Sequence, residues 1–202
     1  MHKVSIVGID NAGKSSMVLS LGEVDCVNTI RLTGGLSERS RTARVINRLA
    51  EIGESHSFKF VTGFAYLLHL FPYYLEQRKN TAPVLISDRD PIVDTVCYAD
   101  FYLPKGLSRL FRPSLKFVLE RWFGYPDSFC YLDVNPEIAA QRTSSRQQLH
   151  ERLQSLRRLK ELFEEEMALA ENRNIPVIRV DANTDSLEEA TKELLQQLEK
   201  KL

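Results

Sequence analysis

The chain has 202 residues, 43% of them hydrophobic and 27% charged, which suits one α/β domain with a substantial core and leaves too little chain to expect a second. Its 27 basic and 27 acidic residues cancel, so no global field draws it to nucleic acid or to a membrane, and any basic function must come from local arginine clusters. The three cysteines, Cys26, Cys97 and Cys130, show no CxxC or Cys/His spacing, which points to free thiols and a reducing cytoplasm, with Cys130, in a strand-like run, in a small buried apolar role.

The first strand is predicted over Val4 to Ile9, so early that no room is left for a secretion signal. It runs into Gly8-Ile9-Asp10-Asn11-Ala12-Gly13-Lys14-Ser15, a complete G-x-x-x-x-G-K-S phosphate-binding loop, followed by a helix from Lys14 to Leu21. In this pattern the backbone from Gly8 through Asn11, Ala12 and Gly13 to Ser16 turns N–H groups toward the phosphates of a nucleoside triphosphate. Lys14 reaches the β/γ oxygens, and Ser15 offers its hydroxyl to Mg²⁺.

A weaker apolar run, Val24 to Leu32, is the candidate second strand, and helical periodicity follows over Ser37 to Ile52 and Phe58 to Arg78. The stretch Phe58 to Leu75 is the most hydrophobic of the chain, but Lys59, Gly63, His69 and Pro72 argue against a membrane span. It reads as a buried or dimer-forming helix with His69 simply packed. A strand over Val84 to Ser87 precedes helices over Pro91 to Tyr102 and Pro113 to Trp122. Between these two, Lys105, Arg109 and Arg112 form either an anion-binding or a merely wet basic loop. Then come a strand over Phe129 to Val134, helices over Pro136 to Ser145 and Leu149 to Asn172, a strand over Val177 to Val180, and a last helix from Asp185, whose capping box closes on Glu188. Pro91, Pro113 and Pro136 suit first helical turns. Strands alternating with helices predict a P-loop NTPase fold, a parallel five-stranded sheet with helices on both faces and the site at the carboxyl ends of the strands.

The loop spelling G-x-D-N-A-G-K is shared with small GTPases of the ADP-ribosylation-factor type. Those switches also need a D-x-x-G at the end of a strand to sense the γ-phosphate and an N-K-x-D to read guanine, and the rest of the chain supplies neither.

Further motifs follow in order. Arg31-Leu32-Thr33-Gly34-Gly35 closes the second strand, and Ser87-Asp88-Arg89 closes the third. Tyr125-Pro126-Asp127 leads into Tyr131-Leu132-Asp133-Val134-Asn135-Pro136-Glu137, with Arg142 and Arg146 at i, i+4 beyond it. Val180-Asp181-Ala182-Asn183 ends the last strand. Together with Asp10 in the loop, this set resembles the thymidylate kinases over nearly the whole chain: their R-E-P-G-G, D-R-Y/H and Y-L-D-V-x-P-E segments stand in the same order and spacing. The resemblance implies one kinase domain over residues 1–202 with a short lid around 142–150, ATP as donor, Mg²⁺, and a nucleoside monophosphate acceptor, dTMP above all. A homodimer through the apolar third helix is implied as well.

Phosphoryl transfer needs two anions held in line and their charge neutralised. Lys14 and the loop amides hold the donor, while Ser15 and Asp88 hold Mg²⁺. Arg89 clamps the acceptor phosphate with a bidentate fork, or else Asp88-Arg89 is an ordinary surface pair. By resemblance Asp10 faces the acceptor sugar or the phosphate-binding arginine, Arg31 lies on the acceptor side, and Asn183 belongs to the adenine-side loop. Arg142 and Arg146 close the lid over the transferring group and, with Asn11 standing where some relatives place an arginine, supply its charge. Phe64, Tyr66 and Tyr98 either stack on a pyrimidine or belong to the core. The departures fall on the acceptor side: Leu68 stands where these kinases usually carry an arginine, and Leu32 and Thr33 replace the Glu-Pro of their glycine segment. The acceptor base therefore stays open, as does the choice among a thymidylate kinase, a kinase for another monophosphate or a deoxynucleoside, and a nucleotide-binding regulator without turnover.

Overall fold

A computed structural model describes residues 1–23, 27–32, 41–55, 59–103, 105–142, 152–183, 191–192 and 194–196. Five strands, β1 (His2–Val7), β2 (Val27–Arg31), β3 (Val84–Asp88), β4 (Ser128–Asp133) and β5 (Val177–Asp181), form one sheet in the order β2-β3-β1-β4-β5, every pairing parallel. The helices between them are α1 (Lys14–Leu21), α2 (Arg41–Ser55), α3 (Lys59–Lys79), α4 (Val93–Tyr102), α5 (Lys105–Phe123), α6 (Pro136–Gln141) and α7 (Leu153–Asn172). The sheet matches the five strands expected. β3 is buried at all five positions and β4 at five of six, as strands covered on both faces must be, and this makes their apolar runs continuous rather than alternating. Val84 and Ile86 pack into one core with α1, α4 and α7, while Leu85 between them joins Leu70, Tyr73, Val96, Leu119 and Phe123 on the opposite face.

Central β1 fixes the position of the site. From it the chain crosses to the edge strand β2, returns to β3, and only then passes to β4 on the other side. That reversal opens a crevice at the carboxyl ends of β1, β3 and β4. Ile6 lies opposite Asp88 in register, so the phosphate-binding loop after β1 and the Asp88-Arg89 turn after β3 emerge side by side.

Two expectations are corrected. α5 begins at Lys105, not at Pro113, so Lys105, Arg109 and Arg112 lie on a helix and not in a loop. Arg112 is engaged with Glu166 of α7 at 2.8 Å, as is Lys116 at 2.5 Å. Helix α6 ends at Gln141 with Arg142 as its C-cap, so a helix through Ser145 does not form over the described residues; positions 143–150, Arg146 among them, lie outside these. Thr33 to Gly35, Cys26 and most of the predicted last helix also lie outside them, although residues 191–192 and 194–196 are helical. Among the described residues no helix is long and apolar enough to cross a membrane. His69 is buried in α3, and burial lowers its pKa, which keeps it neutral as a packing residue.

Helices α2 and α3 cross closely at Gly53, where an added Cβ would stand 2.8 Å from the backbone nitrogen of Thr62 and 2.4 Å from its hydroxyl. Alanine usually stabilises a helix interior relative to glycine. Here the backbone clash reverses the sign: Gly53→Ala is expected to cost about 1–3 kcal/mol by overpacking. Urea denaturation reads this, and a variant as stable as the wild type would show that the crossing relaxes freely.

Candidate active site

The turn out of β1 is built on unusual backbone angles. Gly8 has φ 147°, and a Cβ there would meet the Leu132 carbonyl of β4 at 2.8 Å, so only glycine fits. Asn11 at φ 63° and Gly13 at φ 96° continue the curl into α1. The first intrahelical bond runs from Met17 N–H to the Gly13 carbonyl, which leaves the amides of Lys14, Ser15 and Ser16 as the free donors of a helix N-terminus. Lys14 folds back over the loop, its Nζ 2.7 Å from the carbonyls of both Gly8 and Ile9. Burial pulls its pKa down, helped by Arg89, while Asp10, Asp94 and Asp88 oppose the shift. This is a desolvated cation held where an anion would be welcome.

Ser15 donates to Asp88 Oδ2 at 2.9 Å, and Asp88 Oδ1 is buried with no hydrogen-bond partner. One hydroxyl and one carboxylate with an orphaned oxygen fit Mg²⁺, which keeps most of its shell as water and substrate phosphate. No group of three His, Cys, Asp or Glu that could hold a metal occurs among the described residues.

Across the crevice stands Arg89. Its Nη2 donates to Asp10 Oδ1 at 2.6 Å and its Nη1 to the Tyr98 hydroxyl at 2.9 Å, with Asp94 Oδ1 3.6 Å away. Tyr98 in turn donates to Asp10 Oδ2. Arg89 is thus no surface pair; it is a preorganised cation among two carboxylates and a phenol. Asp10 and Arg89 are thus directly paired. Beside this cluster lies a cavity of about 120 Å³, lined mainly by apolar side chains of α3 and α4, with Phe64 half-exposed on its wall and Arg89 and Asp94 as its charged residues. Tyr98 lines it too, with its ring packed against Tyr66 at 5.5 Å and its hydroxyl bonded to Arg89 and Asp10. Arg31, opposite Asp88 in the sheet register, ends β2 on the same side of the crevice without lining the cavity.

On the other flank, Asn183 accepts from the Asn135 amide at 2.7 Å, and Arg142 donates to the carbonyls of Ala182 at 2.9 Å and Asn183 at 3.4 Å. Arg142 therefore ties the loop after β5 to the end of α6.

Sequence reasoning missed Asp94, whose only local signal was its i, i+4 spacing from Asp90. Burial raises its carboxyl pKa to about 7, against the pull of Arg89 and Lys14. With a reference value of 3.8, the folded chain keeps a proton that the unfolded chain releases, so this group's contribution to stability falls as pH rises toward about 7. Asp94→Asn is accordingly expected to gain thermal stability relative to the wild type between pH 5 and pH 8. Parallel melting curves for the two proteins across that range would contradict the raised carboxyl.

Residues 6–194 match the family model of thymidylate kinase. Among curated proteins, a thymidylate kinase of Leptospira borgpetersenii serovar Hardjo-bovis (strain L550) is 33% identical over 106 residues, 52% of this chain and 49% of the relative. One from Leptospira interrogans serogroup Icterohaemorrhagiae serovar copenhageni (strain Fiocruz L1-130) is 32% identical over 108 residues, 52% of this chain and 50% of that one. The match thus spans about half the length of these relatives. A solved structure of deoxyadenosine kinase from M. mycoides with bound dCTP superposes with a TM-score of 0.64 at 20% identity, covering 98% of this chain and 99% of that one, a likeness of fold.

Proposed function

The chain belongs to the thymidylate kinase family, and from that premise we propose that it transfers the γ-phosphoryl group of ATP to a nucleoside monophosphate, dTMP foremost. The observation that carries this reading is the pair of cations facing each other across one crevice: Lys14 in the donor loop, and Arg89 held ready by Asp10 and Tyr98 beside a largely apolar cavity.

In this reading the amides at the start of α1 bind the donor phosphates, and Lys14 leaves the loop carbonyls for the β/γ oxygens. Ser15 and Asp88 would hold Mg²⁺, which when bound neutralises phosphate charge. Arg89 grips the acceptor phosphate, one of whose oxygens attacks the γ-phosphorus as its bond to the β–γ bridging oxygen breaks and ADP leaves. The apolar cavity takes the base, with Phe64 and Tyr66 along its wall. Arg31 borders the acceptor side. Asn183, tied to Asn135, shapes the adenine-side loop, and Arg142, which bonds that loop, joins Arg146 in a lid around residues 142–150 that supplies charge to the transferring group. The whole forms one domain. Exposed Leu67, Phe71 and Leu75 along α3 support a homodimer through that helix, and the buried free thiols of Cys97 and Cys130 suit the cytoplasm.

A second reading rests on Asp94. Its Oδ1 has no hydrogen-bond partner and its residue lines the cavity, which suits any base presenting an N–H or amino group, the amino group of cytosine or adenine as well as the N3–H of thymine. Another monophosphate or a deoxynucleoside meets that condition. A coupled ADP-release assay with ATP and Mg²⁺ against the common nucleoside monophosphates and deoxynucleosides decides. Fastest turnover of dTMP is expected. Nucleotide binding without turnover of any acceptor would instead reveal a regulator.

A further inference from the structure

Arg89 has φ 79°, a conformation that bulky L-residues avoid and that persists only where surrounding bonds over-determine it. Those bonds can be traced. The N–H of Arg89 donates to the Ile6 carbonyl of β1 at 3.0 Å. The peptide that follows is held at both ends: its N–H, on Asp90, donates to Asp94 Oδ2 at 2.7 Å, and its carbonyl, on Arg89, accepts from the Ser87 hydroxyl at 2.5 Å. Ser87 spends its single proton on that carbonyl, so the Tyr73 hydroxyl, 2.9 Å from Ser87 Oγ, must be the donor of the next bond. Tyr73 sits on α3, almost fully buried against Phe123, remote in sequence from every loop of the site. Beneath the same turn, Asp90 takes the Ser5 hydroxyl at 2.8 Å and the amides of Ile92 and Val93, both at 2.9 Å, which fixes the start of α4.

We infer that Tyr73 is a positioning residue for the acceptor clamp: its buried hydroxyl, relayed through Ser87, holds the left-handed backbone of Arg89 and thereby aims the guanidinium at the acceptor phosphate. The relay acts from the side of the turn that the substrate never reaches. It rests on the assignment of Arg89 to the acceptor. A hydroxyl is the only atom it asks of Tyr73, so the ring alone keeps the packing and loses the function.

Tyr73→Phe tests it, in the wild-type and the Arg89→Lys backgrounds, with KM for acceptor and for ATP read separately. Tyr73→Phe is expected to raise the acceptor KM about three- to tenfold, the worth of one buried hydrogen bond, with the ATP KM within twofold. In the Arg89→Lys background the same substitution is expected to change the acceptor KM by less than about twofold, because the fork it aims is gone. Ser87→Ala should reproduce the effect, and adding Tyr73→Phe to it should add nothing. An equal loss for ATP and acceptor, or an effect that survives in the Arg89→Lys background, would make Tyr73 merely structural and overturn the relay. If Arg89→Lys itself leaves the acceptor KM unmoved, the acceptor assignment falls and takes the relay with it. If Arg89→Lys moves it and neither Tyr73→Phe nor Ser87→Ala does, the relay alone is wrong.

Discussion

Lys14→Ala is expected to lower kcat by about 10²–10³-fold or more while the protein still folds, the range seen when one preorganised stabiliser of developing charge is removed. The structure gives both halves of that result a cause. Lys14 is 5% exposed and its charge is held against a desolvation cost, with Arg89 as an unfavourable neighbour. Such a group is kept for a ligand more than for stability. Among the described residues, the fold would lose the two bonds from Lys14 to the Gly8 and Ile9 carbonyls. Their removal is worth a shift in melting temperature of a few degrees, about 1 kcal/mol per bond against the relief of a desolvated buried cation. Steady-state kinetics beside a thermal melt separates the two. A folded variant with unchanged turnover would remove Lys14, and the donor loop with it, from the chemistry.

The donor half of the site was legible because its chemistry dictates its spelling. A turn that brings successive amides onto phosphate needs glycine where Gly8 touches the Leu132 carbonyl, and a lysine and a hydroxyl at fixed offsets, so eight consecutive residues carry the whole statement. The strands were legible for a related reason, since burial on both faces leaves continuous apolar runs. Helix α5 was not. Its middle is held by ion pairs from Arg112 and Lys116 to Glu166 of α7, while Leu107, Leu110 and Phe111 stay exposed, so apolar periodicity misplaces its start and Pro113 imitates a first turn. The acceptor half was legible only in part. Asp10 and Arg89 carry recognisable motifs, but what fits Arg89 for the proposed clamp is its surroundings. Tyr98 and Asp94 reach it from α4, and Tyr73 reaches its backbone from α3 through Ser87. Those contacts join residues that only the packing of helix on sheet brings together, and no local spacing encodes them.

That difference makes Arg89 the most exposed point of the proposal. Arg89→Lys keeps the charge and gives up the fork, so one ammonium must replace a guanidinium that already bonds Asp10 at 2.6 Å and Tyr98 at 2.9 Å. A point charge satisfies the carboxylate first, because Asp10 is buried and costs the most to leave unpaired. The acceptor phosphate then loses its bidentate partner, and the acceptor KM is expected to rise about 10- to 100-fold, the equivalent of one or two charge-assisted hydrogen bonds, with the ATP KM changed by less than about threefold. Initial-rate kinetics with each substrate varied in turn checks this. The opposite pattern has an equally definite meaning. If the wild type phosphorylates thymidine or a relative faster than dTMP, and Arg89→Lys lowers kcat with the acceptor KM unmoved, the arginine serves the transferring phosphoryl group and not an acceptor phosphate. The monophosphate assignment would then give way to a deoxynucleoside kinase on the same fold, with Asp94 left to meet the base.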